Sequence, residues 1–247
     1  MYILGDIGNS ETKVFLVNSK NKIIRNINFS SKKINNKLLN QKFKYLIKDL
    51  KSIQKVLFCS VVPKSFNIIK KFLSKKIKKR CYEVKDLRLR SLINIKVNFK
   101  QVGSDRLTNA ISLLNNRDNF IILDFGTATT FDVVLKNRYK GGIIAPGVNL
   151  SLKTLVEKAK LIPNTRLTKI KDIIGKNTQN AVRSGFYWGY QGLIENVINL
   201  IEKKYKKNFK IIFTGGLSHL FKDTTKKKVK VDRDLTIKGL LRLADLI

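Results

Sequence analysis

Two segments of the chain combine aspartate, glycine and hydroxyl residues in a way that suits phosphate chemistry. They are DIGNSETK at residues 6–13 and DFGTATTFD at residues 124–132. Aligning Asp6 on Asp124 puts Gly8 on Gly126, Asn9 on Thr127 and Thr12 on Thr130. Apolar, β-rich residues flank each copy, so each predicts a β-hairpin whose glycine lets the backbone approach a ligand. A repeat of this kind predicts two similar halves.

The paired hairpins could bind a nucleotide. Phosphoryl transfer needs backbone N–H donors to the phosphate oxygens, a cation that offsets the negative charge of the phosphates, and a base that accepts the proton of the attacking hydroxyl. The chain has neither a P-loop nor a kinase-type glycine-rich loop, which leaves the turn amides of the hairpin tips as phosphate ligands. Asp6 and Asp124 could hold cations, and Lys13 could reach a phosphate as a point charge. With a later TGG turn at residues 214–216, the paired hairpins resemble the actin-like ATPase superfamily, in which such a glycine turn seats the adenosine.

A second group of reactive residues lies in QVGSDRLTNA, residues 101–110. Asp105 and Arg106 follow a glycine and open an apolar-periodic helix. One interpretation is that Asp105 only complements the dipole at the helix N-terminus. The other is that Asp105 accepts the proton of the hydroxyl that attacks the γ-phosphate, while Arg106 binds a substrate carboxylate through its two nitrogens.

The remaining pattern predicts the elements that position these residues. Residues 55–62 form a buried strand closed by Pro63. Helices are predicted at four places: residues 65–79, residues 105–116, from about Ser151, and residues 177–204. Thr236 is a candidate N-cap for a further helix near the C-terminus. Glycines at 185, 189 and 192 either allow close helix packing or fill a crowded core. We divide the chain into halves at residues 1–117 and 118–247.

Charge is the strongest feature of the composition. The chain has 51 lysine and arginine residues against 17 aspartate and glutamate residues, a net charge of +34. This charge could serve a nucleic-acid-binding regulator, or it could be a solvated lysine surface inflated by AT-rich codons. The chain has no zinc-finger, RNA-binding or helix-turn-helix pattern, so we expect at most nonspecific binding of nucleic acid.

The composition also bears on location and on redox chemistry. No apolar run approaches the roughly 20 residues of a membrane span, and the N-terminus does not resemble a signal segment. We therefore expect a soluble, cytoplasmic protein with no membrane partner. Cys59 and Cys81 are expected to be reduced, and the single histidine, His219, is expected to be structural.

Four motifs together resemble the type III pantothenate kinases. In chain order they are DIGNSETK at 6–13, GSDR at 103–106, DFGTATTFD at 124–132 and GGIIAPG at 141–147. The resemblance extends over essentially the whole chain. It implies an α/β fold of two similar actin-like (ribonuclease H-like) domains, with mixed β-sheets flanked by helices and a nucleotide cleft between them.

The resemblance also implies an activity. Members of this family use ATP to phosphorylate pantothenate to 4'-phosphopantothenate, the first step of coenzyme A biosynthesis. The implied cofactors are Mg²⁺ with ATP and a monovalent cation, K⁺ or NH₄⁺. The implied assembly is a homodimer in which the partner subunit completes the pantothenate pocket.

Specific residues carry over from the family motifs. The implied ATP-binding residues are Asp6, Ile7, Gly8, Asn9, Ser10, Glu11, Thr12 and Lys13. The implied pantothenate-binding residues are Gly103, Ser104, Asp105 and Arg106. Asp105 would be the general base, Asp124 would ligate the monovalent cation, Thr127 would contact ATP and Thr178 would contact the substrate.

Three positions depart from the family pattern. Members usually have an aromatic residue seven positions before the GxDR glycine and a proline shortly after it, where this chain has Lys96 and Phe99. Ser10 replaces a common threonine and keeps the hydroxyl. The first two departures leave open a kinase of the same fold that acts on another hydroxylated metabolite.

Overall fold

The structure is a computed structural model that describes residues 1–47 and 51–247, and it divides into two compact units. The first unit contains residues 1–114, 137–139 and 234–247, and the second contains residues 115–136 and 140–233. The segment 234–247 thus groups with the N-terminal residues. The division of the sequence after residue 117 stays a prediction.

The strands and helices account for most of the described chain. The strands are β1 (Tyr2–Ile7), β2 (Glu11–Val17), β3 (Ile23–Ser30), β4 (Lys55–Ser60), β5 (Cys81–Glu83), β6 (Asn94–Ile95), β7 (Asn119–Phe125), β8 (Ala128–Leu135), β9 (Arg138–Pro146), β10 (Lys210–Gly215) and β11 (Val229–Val231). The helices are α1 (Asn36–Leu46), α2 (Pro63–Ile77), α3 (Ser104–Ser112), α4 (Val148–Lys158), α5 (Thr178–Tyr205), α6 (Ser218–Phe221) and α7 (Leu235–Ala244).

The two units repeat one sheet topology. The sheet of the first unit has the order β3-β2-β1-β4-β5, and the corresponding strands of the second unit have the order β9-β8-β7-β10-β11. In the first unit, β1 pairs antiparallel with β2 and parallel with β4, and β4 pairs parallel with β5. In the second unit, β7 pairs antiparallel with β8 and parallel with β10, and β10 pairs parallel with β11. The predicted internal repeat and mixed sheets are confirmed.

Residues at the start of β9 belong to the first unit. Arg138 and Tyr139 pair in parallel with Asn94 and Ile95 of β6. Lys96, one of the departures noted above, donates its backbone N–H to the carbonyl of Tyr139 at 3.0 Å.

The predicted amphipathic helix after Pro63 is confirmed. α2 begins at Pro63, whose fixed φ suits the first turn of a helix, and it ends at a left-handed Lys78. The apolar residues at helical spacing in this segment are all buried: Phe66, Ile69, Phe72, Leu73 and Ile77. With the inner faces of β1 and β4, these side chains form the core of the first unit.

Other elements differ in detail from the prediction. α3 ends at Ser112 rather than near residue 116, and α4 begins at Val148, three residues before Ser151. α5 continues through its three glycines, and a Cβ added at any of them meets no atom within 4 Å. The interpretation that these glycines fill a crowded core is therefore wrong, since they lie on an exposed face of the helix.

Thr236 is not an N-cap. The last helix begins at Leu235 after Asp234, which places Thr236 inside its first turn. The Thr236 hydroxyl instead donates a hydrogen bond of 2.8 Å to Oδ1 of Asn109 on α3. Among the described residues, none of the helices has the length and hydropathy needed to span a bilayer.

Candidate active site

The first hairpin has the predicted tight tip. Gly8 donates its N–H to the carbonyl of Glu11 at 3.0 Å, and Asn9 and Ser10 at the tip are exposed. Lys13 points to solvent, with Nζ 3.6 Å from Glu11 Oε2. Thr12 is buried, and its hydroxyl shares a 2.8 Å hydrogen bond with Ser31. The side chains at the tip that face solvent are therefore Asn9, Ser10, Glu11 and Lys13.

Asp6 lies at the strand end beside two other polar groups of the first unit. The parallel pairing of β1 with β4 sets Asp6 opposite Cys59, whose thiol donates to Asp6 Oδ1 at 3.5 Å. Burial, and then the nearby Asp105 carboxylate, raise the pKa of Asp6 to about 6. Burial also raises the pKa of the Cys59 thiol well above its ordinary value, so the thiol stays protonated and remains a donor.

Asp105 is held in place by its immediate neighbours. It stands in the first turn of α3, and its Oδ1 accepts the N–H of Arg106 at 2.8 Å. A Cβ added to Gly103 would lie 2.3 Å from that same oxygen. A side chain at position 103 would therefore displace the Asp105 carboxylate from this place.

The N-terminus of α3 is fixed to the end of β4 through Ser104. This serine is 1% exposed, and its hydroxyl donates to the carbonyl of Ser60 at 2.8 Å and accepts the N–H of Ser60 at 2.9 Å. Glu83 on β5 also accepts the Ser60 N–H, at 3.3 Å, and burial raises the pKa of its carboxyl. The Ser104 side chain thus bonds to the protein scaffold.

The second hairpin has the same antiparallel pairing as the first, but its tip is one residue shorter, with residues 126–127 against residues 8–10. Thr130 therefore takes the place of Lys13 in the register, and not that of Thr12 as the sequence alignment predicted. Asp124 pairs with Thr130 across β7 and β8, as Asp6 pairs with Lys13 across β1 and β2, and Gly126 donates to the carbonyl of Ala128 at 3.0 Å. Thr127 lies in the turn between the strands.

Two further glycines of the second unit pack against this hairpin. A Cβ at Gly147 would meet the carbonyl oxygen of Thr127 at 2.1 Å, so the start of α4 lies directly on the turn. Gly215, in the predicted TGG turn, has φ +84°. A Cβ there would lie 2.5 Å from Asp124 Oδ1. The turn proposed to seat adenosine is therefore adjacent to the Asp124 carboxylate.

Thr178 is the first residue of α5 and is exposed. The N-cap before it is Asn177, whose side chain accepts the N–H of Asn180 at 2.9 Å. Gly175 packs on this first turn, since a Cβ there would lie 2.1 Å from the nitrogen of Ala181. These contacts fix the position of Thr178 in the second unit.

The structure brings together residues 6–13 and 103–106 in the first unit, and Asp124, Thr127 and Thr178 belong to the second. Sequence reasoning missed the polar roles of Cys59, Ser60 and Glu83. A partial signal was present, because parallel strands of one sheet end at the same edge: a parallel pairing of the strand at 55–62 with β1 would bring its Cys59-Ser60 dipeptide near the end of β1. The register that sets Cys59 against Asp6 could not be read from the sequence.

Comparison with known proteins agrees with this geometry. A family model described as type III pantothenate kinase matches residues 2–200. The type III pantothenate kinase of Pelagibacter ubique is 60% identical over 247 residues, which is 100% of each chain. A solved Baf family protein from Campylobacter jejuni is 18% identical, with a TM-score of 0.64 over 98% of this chain and 97% of that one. A ROK family glucokinase from Streptomyces griseus, solved with glucose and AMPPNP, is 9% identical, with a TM-score of 0.54 over 99% and 98%.

The repeated sheets with their paired hairpins define the actin-like ATPase fold, which the ROK family glucokinase shares. Within that fold class, the chain belongs to the type III pantothenate kinase family, and it is a kinase.

Replacing Asp6 tests the electrostatics of the site. Because the pKa of about 6 in the folded protein exceeds that of the unfolded chain, the contribution of Asp6 to stability is present at low pH and is lost as pH rises through 6. The amide in Asp6→Asn cannot ionise. We therefore expect the free energy of unfolding of this variant, minus that of the unsubstituted protein, to rise by on the order of 1–3 kcal/mol between pH 4 and pH 7. Urea midpoints measured without nucleotide or Mg²⁺ check this.

Asp118→Asn is a control for which we expect the opposite dependence of stability on pH. Hydrogen bonds from Lys210 and Asn115 lower the pKa of Asp118, so its contribution is lost as pH falls. An Asp6→Asn protein whose relative stability did not change with pH would contradict the raised pKa.

Proposed function

We propose that this chain transfers the γ-phosphoryl group of ATP to the hydroxyl of pantothenate, giving 4'-phosphopantothenate for coenzyme A biosynthesis. The observation that carries the proposal is the full-length identity of 60% to a type III pantothenate kinase. It is supported by the Asp6, Gly8 and Asp105 geometry in the first unit and by the matching hairpin in the second.

In this proposal the first hairpin binds ATP phosphates. Backbone N–H groups of the turn and the exposed Asn9, Ser10 and Lys13 side chains donate to phosphate oxygens. Thr12 helps to position the turn, because its hydroxyl is bonded to Ser31 and its backbone lies between the paired strands β1 and β3. Thr127 in the second hairpin is the further ATP contact.

Asp105 is the proposed general base. The pantothenate hydroxyl oxygen forms a bond to the γ-phosphorus while the bond from that phosphorus to the β–γ bridging oxygen breaks. ADP leaves, and the hydroxyl proton passes to the Asp105 carboxylate. Arg106, half-buried beside it, binds the pantothenate carboxylate with Gly103 and Ser104. Ser104 acts through its backbone, since its hydroxyl is bonded to Ser60.

The residues present fit the expected cations. Gly215 lets the TGG turn approach Asp124 Oδ1 closely, and a carboxylate oxygen is a ligand that suits K⁺ or NH₄⁺. Asp124 would hold the monovalent cation, and Asp6 is placed to bind Mg²⁺ that arrives with ATP. When bound, these cations offset the negative charge of the phosphates.

The decisive test of the proposed function is ADP release with ATP, Mg²⁺ and pantothenate, measured side by side in potassium and sodium buffers. We expect turnover to require both pantothenate and potassium. Asp124→Asn should lower the rate in potassium by roughly 100-fold, toward the rate in sodium, because it removes a charged cation ligand. Turnover without pantothenate dependence, but with another hydroxy acid or a sugar, would assign the site to a different substrate.

Asp105→Asn tests the base. The amide keeps the size of the side chain but cannot accept the proton, so we expect kcat to fall about 100-fold to 10,000-fold. The KM for ATP should be nearly unchanged, because the ATP-binding hairpin is intact. Asp86→Asn, on the same unit, is the matched control. Full turnover by Asp105→Asn would remove Asp105 from the role of base.

We also propose a cytoplasmic homodimer. The two free, buried cysteines support a reducing compartment. The second unit exposes large apolar side chains, with Ile144 65%, Leu161 93% and Ile174 75% exposed, and such residues favour an interface. Light scattering should give twice the chain mass of 28.3 kDa. A mass of one chain at micromolar concentration would contradict the dimer.

A further inference from the structure

Helix α7 packs against α3, the helix that carries Asp105, with almost no space between the two backbones. A Cβ added to Gly239 of α7 would lie 2.2 Å from the carbonyl oxygen of Thr108 and 2.7 Å from its Cγ2. Both residues are buried. Only glycine allows this separation, so the position of α7 is coupled directly to the backbone of α3.

Polar contacts reinforce the packing along the length of α3. Thr236 donates to Asn109 at 2.8 Å in the middle of the helix. Arg242 Nη1 donates to the carbonyls of Ile111 and Leu114 at 3.1 and 2.6 Å. The last carbonyls of a helix have no partner within it and carry partial negative charge, so a guanidinium there satisfies and stabilises the C-terminal end.

The first unit also holds α7 and the opposite end of α3. Leu235, Leu240 and Leu243 of α7 are 0% exposed, and Lys55 at the start of β4 donates to the carbonyl of Ala244 at 2.7 Å. At the other end of α3, Ser104 is bonded to Ser60 at the end of β4. Helix α3 is therefore fixed at both ends to one strand, directly through Ser104 and indirectly through α7.

We propose that α7 is a positioning element for catalysis, with Gly239 and Arg242 as positioning residues that set where α3 presents Asp105. The inference rests on the proposed function. A helix moves as a rigid rod over nine residues, so a displacement at its C-terminal half shifts the Asp105 carboxylate relative to Asp6. Reaction rates are sensitive to misplacement of about 1 Å. The match to the family model ends at residue 200, and α7 lies beyond it.

Gly239→Ala is the direct test. The added methyl must displace α7 from Thr108, so we expect kcat to fall by roughly 10-fold to 100-fold, with the KM for ATP unchanged. Hydrogen exchange should accelerate at the amides of α3 but not at those of β1 and β2. Gly192→Ala is the matched control, because a Cβ there meets no atom within 4 Å. It should leave both kcat and the exchange of α3 unchanged.

Arg242→Ala provides a milder variant that should fold. We expect a kcat loss of about 3-fold to 10-fold, since one capping group is removed while the helix contact remains. Millimolar guanidinium should restore part of the lost rate in this variant, and Arg242→Lys should be intermediate. Arg25→Ala is the control, because Arg25 donates a single 3.3 Å bond to the carbonyl of Tyr45. Its rate should be normal and should not respond to guanidinium.

These measurements distinguish the positioning role of α7 from the proposed kinase function. Normal kcat in Gly239→Ala despite faster exchange in α3 would overturn the positioning role. Faster exchange throughout the first unit, with no rescue of Arg242→Ala by guanidinium, would also overturn it, since the effect would then be general destabilisation. If the unmodified chain lacks pantothenate turnover, the proposed function fails and the positioning role for that reaction fails with it.

Discussion

The parallel pairing of β1 with β4 is the constraint on which the first unit depends. It brings the carboxyl ends of two strands to one sheet edge, where Asp6 lies beside Cys59 and the chain continues to Ser60. Ser60 then anchors α3 through Ser104, and α3 presents Asp105 close enough to Asp6 to raise its pKa. The second unit uses the equivalent pairing of β7 with β10 to set Asp124 beside Gly215.

Concentrating carboxylates at this edge opposes stability. Cys59 is a weak donor and leaves Asp6 incompletely compensated, so burial and the neighbouring Asp105 dominate its pKa. A protein selected only for stability would replace one of these acids. Their presence together suits a site that binds the cations accompanying a phosphate ligand, because each cation supplies the positive charge that the scaffold lacks.

Much of this organisation could be predicted from the sequence because it is local. The hairpins followed from alternating apolar runs around a glycine, and α2 from the spacing of Phe66, Ile69 and Phe72 after Pro63. The internal repeat then implied two sheets of one topology. What escaped prediction was non-local: the register of β1 on β4, the bond from Thr236 to Asn109 that replaced an expected cap, and the glycines at 147 and 215 that allow close approach. Such contacts depend on segments far apart in the chain, and no single-sequence pattern encodes their distance.

The separation between α3 and α7 also affects how the chain matures. Asn109 and Thr236, bonded in the native state, are 127 positions apart, so a ribosome makes nearly the whole second unit between them. Until then α3 lacks the surface that buries Thr108 and caps its C-terminal carbonyls. The first unit therefore cannot fold to completion in the order in which it is translated, and nascent chains present an incomplete helix packing that chaperones and proteases can recognise.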